Sequence, residues 1–343
     1  MASAVEFSPA ELAPFRVAPR FVGRVWGYRD LRPWYDCAAG AGEPIGEVWL
    51  TGDECVVATG PCAGKTLGGL FAEAPGNMLG RAAPLSGSPL LIKVIFAKEK
   101  LSVQVHPDDE MAQKYGQPRG KTECWYVLAA EPGAEVAAGL KAGVTLDQVE
   151  DGIKKGTLEE SLNLLPVAKG EVVFVDAGTV HAIWPGSILL ETQQNCDLTY
   201  RMYDYGRGRE LHIEKALEAT RLTTRAGKVP PMVLADRTIL VDREYFRMER
   251  IPENGSRASA SMAGEGEPGQ DHGTRGLAYL FAAAGSGRIS SPSESFEPVD
   301  LPACGLVAVP AASPEFAIKD LGGLDLIRIT PNWPGATSSG ERQ

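Results

Sequence analysis

Residues 101–107, LSVQVHP, alternate aliphatic and polar side chains one by one. A period of two is the mark of an extended strand, so Leu101, Val103 and Val105 share one face and Ser102, Gln104 and His106 the other. This constrains the fold strongly. The aliphatic face must lie on a core, and the opposite face offers a hydroxyl, an amide and an imidazole to a single space. Residues 121–125, KTECW, repeat the pattern and aim Lys121 and Glu123 to one side. Residues 170–181, GEVVFVDAGTVH, read as a strand, a glycine turn and His181.

Gln104, His106, Glu123 and His181 together supply two imidazoles, a carboxylate and an amide oxygen. Such a mixed nitrogen and oxygen set holds a catalytic divalent metal and leaves coordination positions open for substrate. Taken singly, His106 reads more plainly as a half-buried histidine and Glu123 as an edge-strand charge. The joint reading gains weight because the chain has only four histidines, and two of them share strand faces with polar partners. His212 follows the charged turn 206–210 and His272 lies in a Gly/Ser-rich stretch. Both are expected to be solvent-exposed and unrelated to chemistry.

Four blocks carry a family resemblance: 101–109 (LSVQVHPDD), 120–126 (GKTECWY), 176–183 (DAGTVHAI) and 191–204 (ETQQNCDLTYRMYD). They resemble, in order, the signature blocks of type I mannose-6-phosphate isomerases, zinc-dependent members of the cupin superfamily. Residues 24–27 (RVWG), 46–49 (GEVW) and 89–94 (PLLIKV) are milder matches. The resemblance runs from about residue 20 to 225 and is only architectural beyond. The chain length is similar to the short bacterial form of the family. Asp176, Pro185 and Cys124 stand where the family usually has proline, asparagine and methionine.

The resemblance implies that Gln104, His106, Glu123 and His181 bind one divalent metal ion, zinc in the family. It implies acid/base and oxyanion roles for Glu191 and Arg201, places Lys121 beside Glu123 in the same cavity, and associates Ser102 and Arg207 with the substrate phosphate. A surface salt-bridge role is the plainer reading of Arg201 and Arg207, but it is energetically weak, and phosphate capture calls for bidentate donors. The implied reaction interconverts mannose 6-phosphate and fructose 6-phosphate through a cis-enediol. Glu191 is the expected proton shuttle, best suited with its pKa raised by burial. Lys121 serves instead if neighbouring cations lower its own, and a hydride shift is the other route. The rival functions are a cupin isomerase of another sugar or sugar phosphate, a cupin dioxygenase, and a non-catalytic sugar-binding cupin.

Composition bounds the partners. With 34 Lys and Arg against 44 Asp and Glu, the formal charge is −10, and no basic stripe offsets it for nucleic acid. An acidic protein that binds a small anionic sugar phosphate needs a locally basic pocket, for which Lys98, Lys100, Lys121, Arg201 and Arg207 are available. No stretch approaches a membrane span or a signal peptide. The six cysteines show no Cys-x-x-Cys pair and read as reduced thiols of a cytoplasmic protein. A monomer or homodimer is expected.

Pattern and punctuation predict a mainly β chain of two cupin modules, each a jelly-roll β-sandwich, with a small helical insertion. The catalytic module is expected over 1–225. Within it, short helices fall at 67–73 and at 108–114 with Asp108 as N-cap. The insertion at 144–165 carries capping boxes from Thr145 and from Thr157. Strands fall at 170–175, 187–193 and 200–205, then a helix at 211–223 and a linker at 225–231. A second module over 232–333 has strands at 237–241, 245–251, 278–283, 305–309 and 324–329, with a mobile loop at 254–276. There, 305–312 echoes 170–178 without a following histidine, so this module is expected to be metal-free and structural. Residues 334–343 are expected to be a disordered tail.

Overall fold

The computed structural model describes Ser8 and residues 11–80, 87–252 and 276–332. His272, the tail and, except for Gly276, the loop expected at 254–276 lie outside the described residues. Strands β1 (Phe15–Arg16), β2 (Arg20–Tyr28) and β3 (Ile45–Trp49) come first, then helices α1 (Leu67–Glu73) and α2 (Pro75–Leu79). Next are β4 (Leu90–Ala97), β5 (Val103–Val105), α3 (Asp109–Lys114), β6 (Glu123–Ala130) and β7 (Glu135–Leu140). Helix α4 (Leu146–Lys155) and a 3₁₀ turn (Leu158–Ser161) lead to β8 (Leu162–Pro166), β9 (Val172–Val175) and β10 (His181–Ile183). Then come β11 (Ser187–Gln194), β12 (Tyr200–Tyr203), α5 (Ile213–Ala219) and β13 (Gly227–Val229). The chain closes with β14 (Met232–Val233), β15 (Thr238–Asp242), β16 (Phe246–Ile251), β17 (Ala278–Ser290), β18 (Val299–Leu301), β19 (Leu306–Val309) and β20 (Ala317–Pro331). Among the described residues no helix is long and apolar enough to cross a membrane.

The chain divides into two compact units, each assembled from separate stretches. One takes Phe21–Trp49 and Leu90–Pro230, and the other takes Met1–Arg20, Leu50–Pro89 and Pro231–Gln343. The chain passes between the units for the last time between Pro230 and Pro231. Residues 11–20 and 50–80, expected in the first module, pack in the second unit instead. The reason is strand pairing: β1 adds to β19, with Phe15 opposite Ala308.

In the first unit a seven-stranded antiparallel sheet, β13-β9-β6-β11-β4-β3-β2, faces a five-stranded one, β12-β5-β10-β7-β8. Trp26, Ile95, Trp125, Val127, Val173 and Leu189 of the larger sheet interdigitate with Val136, Ala138 and Ile183 of the smaller. Complete burial of each large side chain contributes about 1.5–3 kcal/mol. The smaller sheet is covered on its other face as well. There Val103, Val105, Ala137, Ala182 and Met202 meet Val149 and Ile153 of α4 and Ala216 and Ala219 of α5. The alternation read at 101–107 therefore holds from Val103 to Val105, whereas Leu101, ahead of the strand, joins the inter-sheet core.

The insertion differs in detail from expectation. α4 has its capping box, with Thr145 Oγ1 and Gln148 N–H paired and the Gln148 side chain returning to the Thr145 N–H. Thr157 makes no side-chain cap, the 3₁₀ turn stops at Ser161, and residues 162–166 pair with β7 as strand β8. Leu162 anchors that strand in the core beneath α4. The linker expected at 225–231 likewise contains β13, which pairs with β9.

The second unit is one eight-stranded antiparallel sheet, β1-β19-β17-β20-β16-β15-β14 with β18 beside β17. Register shifts between Ala282 and Gly287 break the long β17–β20 pair. Core residues change parity across them, from Ala278, Leu280 and Ala282 to Ile289, so both halves of the bent strand serve one core. Gly285 permits the bend, since its φ is +64° and a Cβ there would lie 2.2 Å from the Gly323 carbonyl oxygen.

Candidate metal centre

Both sheets of the first unit contribute to one polar cluster. His181 opens β10 and lies opposite Gln104 of β5, and His106 directly follows β5. Glu123 opens β6 in the facing sheet. Glu123 Oε2 is 3.4 Å from His106 Nε2, and Oε1 is 3.5 Å from His181 Nε2. The three candidate ligand atoms lie within 4.8 Å of one another, all on buried side chains.

Each imidazole is oriented from behind. His106 Nδ1 is 2.9 Å from the Leu198 carbonyl oxygen, and His181 Nδ1 is 2.8 Å from that of Thr179. A carbonyl only accepts, so each ring carries its proton on Nδ1 and turns an Nε2 lone pair toward Glu123. Burial brings the His181 pKa down to about 4. Burial, with the Lys121 charge, holds that of His106 well below the ordinary value. Both rings are therefore neutral donors at pH 7. His106 Nε2 and both Glu123 oxygens are buried without a hydrogen-bond partner. Protein interiors seldom leave such atoms orphaned, and a divalent cation among them would satisfy all three. The residues present fit the metal.

Gln104, the fourth expected ligand, is at the cluster with its amide nitrogen inward. Its Nε2 lies 3.2 Å from His181 Nε2, and its Oε1 accepts from Ser102 Oγ at 3.3 Å. Offering the amide oxygen to a cation takes a half-turn of the terminal torsion.

A cavity of about 500 Å³ reaches the cluster, lined by Ser102, Gln104, Lys121, Trp125, His181, Glu191 and Arg201 among others. That volume suits a small-molecule site. Lys121 Nζ is 3.4 Å from Glu123 Oε2. Glu191 projects from β11 between Lys93 of β4 and Trp125 of β6, its direct cross-strand neighbours. Lys93 Nζ is 2.9 Å from Glu191 Oε1, and Trp125 Nε1–H donates to Oε2 at 3.0 Å. Burial raises the Glu191 pKa, and Glu123 raises it further against the opposing charges of Lys93 and Lys121. Arg201 on β12 lies opposite Gln104, and its Nη1 donates to the Glu210 carbonyl at 2.9 Å. Its Nε is buried without a hydrogen-bond partner.

Not every expected residue arrives. The Arg207 guanidinium donates to the Lys100 carbonyl at 2.7 Å and to Glu99 at 3.1 Å, and it does not line the cavity. Lys98 and Lys100 are also absent from its walls, and the cations there are Arg24, Lys93, Lys121, Arg201 and Arg209. Asp176, which stands where the family usually has proline, does not line the cavity. It accepts from Thr179 Oγ1 at 3.0 Å and from the Arg225 N–H at 3.1 Å, bracing the turn that leads to His181. His212 is half-buried rather than solvent-exposed, and its Nδ1 accepts from the Arg201 N–H at 3.2 Å. Sequence reasoning missed Lys93, Glu47 and Arg24 as wall residues. A signal existed for Lys93, the one charge in a strand whose eight residues are all buried.

A two-sheet β-sandwich with a buried His/Glu/His set that meets a polar cavity at His181 has the architecture of a metal-dependent cupin enzyme. Residues 20–138 match the family model for phosphomannose isomerase type I, catalytic domain. The mannose-6-phosphate isomerase ManA of Bacillus subtilis is 38% identical over 71% of this chain and 80% of its own length. The mannose-6-phosphate isomerase of Streptococcus mutans is 35% identical over 68% of this chain and 77% of its own length. The crystal structure of the mannose 6-phosphate isomerase from Bacillus subtilis superposes with a TM-score of 0.78 at 30% identity, covering 92% of this chain and 99% of that one. The chain belongs to the type I phosphomannose isomerase family.

Proposed function

We propose that this chain interconverts mannose 6-phosphate and fructose 6-phosphate as a metal-dependent aldose–ketose isomerase. The observation that carries the reading is the buried His106–Glu123–His181 cluster, with its orphaned donor atoms, which opens through His181 to a cavity rich in arginine and lysine. Two imidazoles, a carboxylate and the Gln104 amide suit zinc, which supplies Lewis-acid polarisation of the sugar oxygens when bound.

The protein side of the reaction is proton movement under fixed charge. Glu191 takes the proton from C2 of the open-chain aldose and returns it at C1, so that a cis-enediol lies between the two sugars. Its raised pKa makes it a stronger base than an exposed carboxylate. Arg201 and Lys121 hold positive charge where the enediolate oxygens develop negative charge. Lys121 is the rival base, since it stands in the same cavity. Ser102 offers its hydroxyl to the phosphate. Arg209, a cavity residue held by Asp204 through Nε at 2.8 Å, is better placed than Arg207 to add a guanidinium. All six cysteines are free thiols, which suits the cytoplasm.

A coupled assay of mannose 6-phosphate turnover, with and without chelator, tests the assignment. Glu123→Ala is expected to lose bound metal and roughly 10³-fold or more in kcat. A folded, metal-loaded wild-type protein that leaves mannose 6-phosphate unchanged overturns it. Solvent-deuterium incorporation in Glu191→Gln, set against Lys121→Met, separates the two candidate bases.

A further inference from the structure

One wall of the cavity is a row of alternating charges on neighbouring strands. Arg24 of β2 meets Glu47 of β3, Glu47 meets Lys93 of β4, and Lys93 meets Glu191 of β11, in the order of the sheet itself. Arg24 grips Glu47 with two bonds, Nε to Oε1 at 3.2 Å and Nη2 to Oε2 at 3.0 Å. Trp49 Nε1–H adds a third at 2.7 Å. Glu47, Lys93 and Glu191 are buried, and all four charged groups line the cavity.

Lys93 is shared unequally. It lies directly opposite Glu191 in the ladder, with Nζ 2.9 Å from Oε1. Glu47 is its diagonal neighbour, paired with Ile95 two residues on, and its Oε1 is 3.8 Å from the same Nζ. Diagonal partners remain within reach of long side chains. A buried ammonium held by Glu191 alone would draw that carboxylate into a closed ion pair and weaken it as a base. A second carboxylate on the far side of the ammonium offsets this, and Arg24 in turn limits how strongly Glu47 pulls.

We propose that Glu47 is a positioning residue for the isomerisation, dividing the Lys93 ammonium between itself and Glu191 so that Glu191 stays available to accept a proton. The proposal rests on the assignment of Glu191 as the base. Other charges face Glu191 as well. Lys121 and Glu123 act on it electrostatically, it acts in turn on the neutral His181 ring, and Asp197 acts on Lys93. All of these are unchanged in the variants below.

The two ends of the row should act with opposite signs. Removing the Glu47 charge leaves Glu191 facing more uncompensated positive potential, which favours its deprotonated form. Removing the Arg24 charge strengthens the pull of Glu47 on Lys93 and favours the protonated form. The test is the kcat–pH profile of metal-loaded enzyme on mannose 6-phosphate, with folding checked by thermal melting. In Glu47→Gln the midpoint of the acid limb should fall by about one pH unit, and in Arg24→Gln it should rise by a similar amount. A residue that only braces the wall would lower kcat or melting temperature in both variants without moving the limbs apart.

Limbs that stay in place, or move the same way in both variants, overturn the proposal. If Glu47→Gln fails to fold, the limb of Arg24→Gln decides alone, supporting the proposal by an upward shift and refuting it by none. Glu191→Gln isolates the premise. If that variant keeps solvent-proton incorporation and the acid limb, the base assignment fails. If it loses both while the Glu47 and Arg24 limbs stay fixed, the failure belongs to the positioning role alone.

Discussion

In the second unit, Glu249 of β16 lies buried among three arginines. Arg328, opposite it on β20, donates from Nε to Oε2 at 2.7 Å, and Arg247 and Arg237 approach Oε1 at 2.8 and 3.2 Å. In the first unit, Glu123 is equally buried, but its neighbours are two neutral imidazoles and one lysine at 3.4 Å. Both units thus bury a carboxylate. One is ion-paired on both oxygens to arginines, whereas the other makes no hydrogen bond from either oxygen and lies beside the cavity residues Lys121 and His181. Burial of charge therefore says little about function until its partners are counted, because a carboxylate ringed by guanidiniums already has its charge compensated. The same contrast appears in two similar strands. β9 and β19 are both wholly buried, yet the turn after β9 leads to His181, and no histidine follows β19.

The contrast breaks most readily at Glu249. Glu249→Ala leaves three guanidiniums around an uncompensated cavity and should cost about 3–5 kcal/mol of stability, measured by urea unfolding. Turnover per folded, metal-loaded molecule should stay within a factor of about two, against the roughly thousandfold loss expected of Glu123→Ala. A large loss of kcat in folded Glu249→Ala enzyme would erase the distinction between the two carboxylates.

Acid sharpens the comparison within the catalytic unit. Burial alone would raise the Glu47 pKa, but Lys93 and Arg24 outweigh it and bring it from 4.5 down to about 2. A carboxylate with a depressed folded pKa contributes stability above its unfolded pKa and loses it as pH falls through the folded value. Its share, on the order of 3 kcal/mol, should be complete above pH 4.5 and vanish as the pH approaches 2. Wild type should therefore lose stability more steeply than Glu47→Gln between those limits, and parallel urea midpoints for the two proteins would contradict this. The smallest effect is expected far from any charge cluster. Thr145→Ala removes the cap of α4 and should cost about 1 kcal/mol without changing kcat.

Much of the local structure was legible because it obeys short-range rules. Asp108 caps α3 by accepting from the Met111 N–H, Thr145 opens α4, and β11 and β16 fall where their apolar runs predict. The 3₁₀ turn after Thr157 and the strand hidden in the linker were not legible. A capping pattern does not guarantee a cap, and a strand of three residues is made by its partner rather than by its own propensity. The cavity cations show the same limit. Gly206 and Gly208, with φ of +74° and +76°, flank Arg207 and turn the chain there. Arg207 is led to Lys100 and Glu99, and Arg209 lines the cavity. Nothing in the spacing of GRGR distinguishes the two.

By itself the sequence determined that the chain is mainly β and which side chains share the polar face of each short strand. It also marked His106, Glu123 and His181 as candidate ligands. Period, capping and turn chemistry act over a few residues, and those residues are adjacent in the chain. Only the tertiary structure decided that the lysine inside β4 would stand between Glu47 and Glu191, that Glu249 would meet three arginines and Glu123 two imidazoles, and that residues 11–20 and 50–80 would pack with the C-terminal strands. Those outcomes depend on the order and register of strands far apart in sequence, where one changed neighbour replaces every cross-strand partner.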